Sequence, residues 1–197
     1  TTAVYRQELI EAVVVAPLPD PAFMNPVSIS LPKFCLKIRN FLIKLFFNCL
    51  PLEILVFLIA RSELIKYALQ GAYTQDVKLD HELLQLVTKP SLRPTAARSL
   101  RAMCIGMSVR PKRLTAPKLI DALDKRNHRP PILMIWGQQD KLVPISLGKY
   151  LANTYPWIDF LILKNVGHCP HDECPQTFNQ YVLNWLDLNL FSDRKNV

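Results

Sequence analysis

Two short apolar runs in the last third of this chain constrain its fold more than any other feature. Each is cut off by a glycine and followed at once by a titratable side chain. The first is Ile132-Leu133-Met134-Ile135-Trp136-Gly137, with Asp140 just beyond it. A continuous run of this length, bounded by turn residues, predicts a strand buried on both faces and therefore one inside a parallel sheet covered by helices. The second, Phe160-Leu161-Ile162-Leu163, leads through Lys164-Asn165-Val166 to Gly167-His168. Both strands would end at one edge of one sheet and deliver a carboxylate and an imidazole to neighbouring loops. Alone, Asp140 reads as an ordinary turn acid and His168 as a structural histidine. Together they are two parts of a nucleophile–base–orienter triad, in which the acid holds the tautomer of the base.

The remaining pattern surrounds those strands with helices. Thr1 to Glu8 reads as the tail of a helix, and Ala12-Val13-Val14-Val15-Ala16, stopped by Pro17, as a third buried parallel strand. A proline-punctuated loop reaches Pro32. From Lys33, apolar residues recur at helical spacing (Phe34, Ile38, Phe41, Leu42, Leu45, Phe46) until Pro51, and a second helix is expected from Leu52 to Leu69. Helices follow at 80–88, capped by Asp80 and stopped by Pro90, at 95–109 and at 115–125. The stretch 146–154 reads as a crossover helix, and Pro175 to Leu190 as a closing one with Phe178, Val182, Trp185 and Leu186 on one face.

Composition narrows the function classes. The net charge of +8 favours acidic partners, yet no zinc-finger, helix-turn-helix or aromatic RNA-binding pattern accompanies the basic residues, so no nucleic-acid partner is expected. Lys37, Arg39, Lys44 and Glu53 interrupt the apolar stretch from Phe34 to Ala60, with Pro51 near its middle. That argues against a spanning helix and leaves peripheral contact with an anionic membrane as an expectation. Five cysteines in no small-domain spacing point to a reducing, intracellular compartment. His168, Cys169, His171 and Cys174 crowd one short run containing a proline, unlike the separated ligand pairs of structural zinc sites, so no metal is expected. His171, Asp172 and Glu173 are expected to lock the base loop and cap the closing helix, where an acid suits the helix dipole.

Trp136-Gly137-x-x-Asp140-x-x-Val143-Pro144, followed by Gly167-His168 and an amphipathic helix, resembles the C-terminal part of the α/β-hydrolase superfamily. The run Gly167-His168-Cys169-Pro170-His171-Asp172-Glu173-x-Pro175 is similar to the pheophytinase-like and chlorophyll-dephytylase-like branch of plants and cyanobacteria. The resemblance implies an α/β fold of C-terminal parallel strands with flanking helices and an inserted helical cap. It divides the chain into a core strand and loop (1–30), a cap (31–128), a core carrying acid and histidine (129–191) and a tail (192–197). It also implies a carboxylic-ester hydrolase acting on a hydrophobic, phytyl-type ester without a cofactor, in the cytoplasm or associated with the thylakoid or plastid.

The family carries its nucleophile in Gly-x-Ser-x-Gly between a strand and a helix. None of Ser28, Ser30, Ser62, Ser91, Ser99, Ser108, Ser146 and Ser192 lies in that pattern, and Gly106-Met107-Ser108 fails because Arg110 replaces the second glycine. The first glycine is Gly71, so a glycine-rich oxyanion loop is missing upstream as well. The expectation is a hydrolase lacking its nucleophile-bearing N-terminal half, with an exposed sheet edge at Ala12–Ala16 and poor solubility alone. The alternative is a catalytically inactive remnant that binds a membrane surface or a partner protein.

Overall fold

The computed structural model describes residues 1–17, 20–23, 32–61 and 63–191. In chain order its elements are α1 (Thr2–Tyr5), β1 (Val13–Val15), α2 (Lys33–Cys49), α3 (Leu52–Arg61), α4 (Leu64–Ala72), α5 (His81–Ser91), α6 (Ala96–Val109), α7 (Ala116–Asp124), β2 (Ile132–Gly137), α8 (Ile145–Thr154), β3 (Ile158–Leu163), α9 (Pro170–Glu173) and α10 (Pro175–Leu186). They group into two compact units, one of Thr1–Met24, Gln70–Asp76 and Ala116–Val197, the other of Asn25–Leu69 and Val77–Thr115. Residues 70–76 and 116–128, expected in an inserted cap, thus belong with the sheet. The reason is local: Ala72 accepts a backbone bond from His168, and α7 packs on α1. Ser28, Ser30, Ser62, Ser192 and the 192–197 tail lie outside the described residues.

The first unit is a parallel sheet in the order β1-β2-β3, with Val13 opposite Ile132 and Ile132 opposite Ile158. Every residue of β2 is buried. Successive side chains of a strand point to opposite faces, so the run must be apolar throughout if both faces are covered. Ile132 and Met134 enter one core with Leu123, Leu151 and Tyr155; Leu133 and Ile135 enter the other with Leu163, Val166 and Trp185. Each fully buried aliphatic side chain here contributes about 1.5–3 kcal/mol. β1, by contrast, is an edge strand whose Val14 is exposed, so only part of its expected burial is realised.

Polar pins hold the helices to this sheet. Trp185 Nε1 on α10 donates to Asp159 Oδ2 on β3 at 2.6 Å, and Tyr155 donates to Asp121 on α7 at 2.5 Å. The buried Asp20 carboxylate accepts from the backbone N–H of Ala116 at 2.7 Å, a favourable place for a negative charge at the start of α7. On the same face of β2 as α7, α8 crosses close to the strands at Gly148. A Cβ there would lie 2.8 Å from the Phe160 ring and 2.9 Å from that of Trp136.

Several expected boundaries move. The helix expected from Leu52 to Leu69 is two helices, α3 and α4. Pro90 does not stop α5 but sits in its last turn. There its missing N–H deprives only the carbonyl of Leu86, an exposed residue, of a helical partner. Asp80 caps α5 as expected, accepting from Leu83 N at 2.9 Å. The closing helix ends at Leu186 and continues as a wider π-type turn, Asp187–Phe191.

Overpacking follows directly from the α8 crossing. Gly148→Ala should lower unfolding free energy in urea by about 1–3 kcal/mol, while Ser146→Ala, at an exposed position two residues away, should be neutral. Equal midpoints for the two variants would show that the crossing is looser than described.

Candidate active site

Asp140 and His168 meet at the C-terminal rim of the sheet because two backbone segments pass in near contact just below them. β2 ends at Gly137, and a Cβ built there would lie 1.9 Å from the Gly167 carbonyl oxygen and 2.4 Å from that of Val166. No side chain fits at Gly137, and a Cβ on Gly167 would in turn lie 2.6 Å from the Ala72 carbonyl oxygen, so each glycine is required by its own close contact. The approach is bonded as well as close: Gln138 N donates to Leu163 O and Gln139 N to Val166 O, both at 2.9 Å. Between them, Asn165 adopts φ 59°, a left-handed turn that asparagine tolerates better than most residues.

The acid is held from both oxygens. Asp140 Oδ1 accepts from Leu142 N at 2.8 Å and Val143 N at 2.9 Å, so the side chain folds back on its own loop. Val143 O in turn accepts from Trp136 Nε1 at 3.1 Å, tying the loop to the buried strand. That leaves Oδ2 for His168, whose Nδ1 lies 2.9 Å away. The Asp140 side chain is 0% exposed and that of His168 22%. A buried carboxylate facing Nδ1 favours the tautomer with Nδ1 protonated, leaving Nε2 as the unprotonated nitrogen.

A second network holds the histidine loop, and its partners come from far away in the chain. His168 N donates to Ala72 O at 2.8 Å. Glu173 Oε1 accepts from Gly167 N at 2.7 Å, and its Oε2 accepts from Thr74 N at 2.8 Å and Thr74 Oγ1 at 2.5 Å. Tyr73 donates its hydroxyl to Asp172 Oδ2 at 2.6 Å. Asp172 and Glu173 thus reach across to 73–74 and do not cap the closing helix, whose first turn has no side-chain cap. His171 stacks edge-on against Phe178 with ring centroids 6.0 Å apart. Sequence reasoning missed Tyr73 and Thr74, since nothing in the Gly71-Ala72-Tyr73-Thr74 stretch signals a partner so distant.

Within the sheet unit the described residues include one serine, Ser146, which is exposed on α8. Cys169 is adjacent to the histidine, but burial pushes its thiol pKa up, the opposite of what an attacking thiolate needs. Burial and the Asp172 carboxylate likewise push the Tyr73 phenol up, keeping it a hydrogen-bond donor. Among the described residues no cluster of His, Cys, Asp and Glu is arranged to hold a metal ion.

No protein-family model matches the chain. Among curated proteins it is 43% identical to a provisionally named esterase/lipase of Mycoplasma genitalium over 58 residues, 29% of this chain and 22% of that protein. It is 23% identical to chloroplastic pheophytinase of Arabidopsis thaliana over 128 residues, 65% of this chain and 25% of that one. The matches thus span about a fifth to a quarter of those relatives. Among solved structures, the meta-cleavage product hydrolase of Pseudomonas fluorescens aligns with 94% of this chain and 59% of its own at a TM-score of 0.56 and 15% identity. An α/β-hydrolase-fold protein of Burkholderia ambifaria aligns with 92% and 69%, at 0.52 and 17%. The chain shares the α/β-hydrolase fold and is similar in sequence to esterases and hydrolases of that superfamily.

The two-oxygen grip of Glu173 sets an expectation for stability. Glu173→Gln keeps the shape but replaces one acceptor oxygen with an NH₂, so the Gly167 or the Thr74 end must lose its partner. Unfolding free energy should fall by about 1–3 kcal/mol, and amide exchange at Gly167 or Thr74 should quicken. Unchanged stability and exchange would show that the acid does not hold this loop.

Proposed function

We propose that Asp140 and His168 are the orienting acid and general base of a serine hydrolase that cleaves carboxylic esters, and that the serine is supplied from outside this 197-residue sequence. One observation carries the reading: a buried carboxylate, its other oxygen taken by two backbone amides, lies 2.9 Å from Nδ1 of a partly exposed histidine. The esterase, lipase and hydrolase relatives support the reaction class.

The chemistry follows from the hydrogen bonding. Asp140 keeps the Nδ1 proton in place, so Nε2 can take the serine hydroxyl proton as oxygen attacks the ester carbonyl. Asp140 then stabilises the imidazolium it faces, without itself being protonated. His168 returns the proton to the departing alcohol, leaving an acyl-serine. In the second half, it takes a proton from water, hydroxide adds to the acyl carbon, and the proton goes back to serine as the acid leaves. Neither half needs a metal or an organic cofactor.

The substrate we favour is a hydrophobic ester of phytyl type, in a plastid or thylakoid setting. The Gly167–Pro175 resemblance supports it, as does similarity to a chloroplastic pheophytinase. The second reading is a catalytically silent member of the superfamily, favoured by the lack of any Gly-x-Ser-x-Gly serine in these 197 residues.

Labelling of the polypeptide isolated from its natural source separates the two. A fluorophosphonate should modify a serine outside these residues, and His168→Ala in that polypeptide should cut kcat by roughly 10⁴- to 10⁶-fold with the fold intact. Asp140→Asn should cost about 10⁴-fold through the wrong tautomer. Labelling at one of this chain's own serines, or near-normal turnover in His168→Ala, would overturn the assignment.

A further inference from the structure

We propose that the outer face of the α2–α3 elbow docks this protein onto an anionic membrane surface, lying in the headgroup layer and not crossing it. The inference does not depend on the Asp140–His168 pair. It starts from how α2 divides its faces. Leu36, Asn40, Ile43 and Phe47 recur on one side and are partly buried, where α2 packs against α6. On the opposite side Phe34, Ile38, Phe41, Leu42 and Leu45 form a continuous apolar stripe open to solvent, with Phe34 71% and Phe41 64% exposed. α3 repeats the pattern: Leu52 is buried while Ile54, Leu55, Phe57 and Leu58 are exposed. An exposed stripe of this size, on two successive helices, marks an interaction surface.

Charge identifies the partner. Lys33, Lys37 and Lys44 are all exposed and fall in one row within an arc of about 40° at 3.6 residues per turn. That row runs along one border of the stripe, with Arg39 near the other. α2 contains no aspartate or glutamate. Phenylalanine and leucine on one face, with lysine beside them, is the arrangement of a helix lying in the plane of a membrane interface, apolar side in the acyl boundary and cations among anionic headgroups. A second copy is a poorer occupant, because it would bring lysine rows of one sign together with no acid on α2 to answer them.

The elbow is built to lie flat on its own unit. Among the described residues no single helix is long and apolar enough to cross a membrane; α2 and the Leu52–Ile59 part of α3 pass that test only as a pair bent by 55°. Arg101 on α6 pins the bend. Its guanidinium donates to Phe47 O at 3.0 Å and Leu50 O at 3.2 Å, at the end of α2, and to both Glu53 oxygens on α3 at 2.9 and 3.0 Å. This double fork ties both helices to α6, where a straightened span would have to break it.

Vesicle flotation of the complete encoded polypeptide tests the proposal, with phosphatidylcholine alone against a mixture containing 30% phosphatidylglycerol. Binding should require the anionic lipid and weaken from about 0.1 M to 1 M salt, as the screening length shortens from roughly 10 Å to 3 Å. Lys33→Ala/Lys37→Ala/Lys44→Ala should reduce partitioning by roughly a hundredfold, at about fivefold per lysine. Phe41→Asp should abolish it; circular dichroism and hydrolysis of a water-soluble short-chain ester should be unchanged in both. No binding, equal binding to neutral vesicles, or indifference to the lysine changes would overturn the proposal. So would a lipid-free dimer that Phe41→Asp dissolves.

Discussion

The site rests on a contact between two stretches of backbone that have no room for a side chain. Gly137 closes β2 and Gly167 opens the histidine loop, and the Gly137 Cα faces the Gly167 carbonyl closely enough that any Cβ would overlap it. Everything above that crossing follows from it. The Asp140 loop descends from one segment and His168 rises from the other, so their side chains need reach only a hydrogen bond apart. A wider crossing would leave a buried carboxylate without its imidazole, a costly state for a charge removed from water.

The crossing is stiffened from three directions. From below, β2 is buried along its whole length and its tryptophan indole holds the acid loop through Val143. From the side, Gln138 and Gln139 donate to carbonyls that follow β3. From a remote part of the chain, the 72–74 stretch receives the His168 amide and gives Glu173 two donors. Acids near the histidine therefore divide their labour: Asp140 faces the ring, while Asp172 and Glu173 hold the backbone that carries it.

What could be read from the sequence follows the range of the interactions. β2 was legible because burial on both faces demands an unbroken apolar run, and the two glycines because they mark where chains must touch. β3 was legible only from Phe160, since Asp159 breaks its apolar pattern; in the fold that carboxylate is answered by Trp185 Nε1 from α10. Asp172 and Glu173 could be recognised as loop acids, but their partners Tyr73 and Thr74 stand 99 positions earlier, beyond any local pattern. The division into units shifted for the same reason, because hydrogen bonds across the chain, and not periodicity, assign 70–76 to the sheet. Pro90 shows the limit of a local rule, since a proline in a last turn costs little.

The most direct test of the account is proton NMR of the histidine ring. If Asp140 holds His168 at Nδ1, the spectrum contains a low-field, slowly exchanging Nδ1–H resonance that disappears in Asp140→Asn with the fold preserved. Absence of that resonance, or its survival unchanged in Asp140→Asn, would contradict the acid–imidazole pairing on which the proposed chemistry is built.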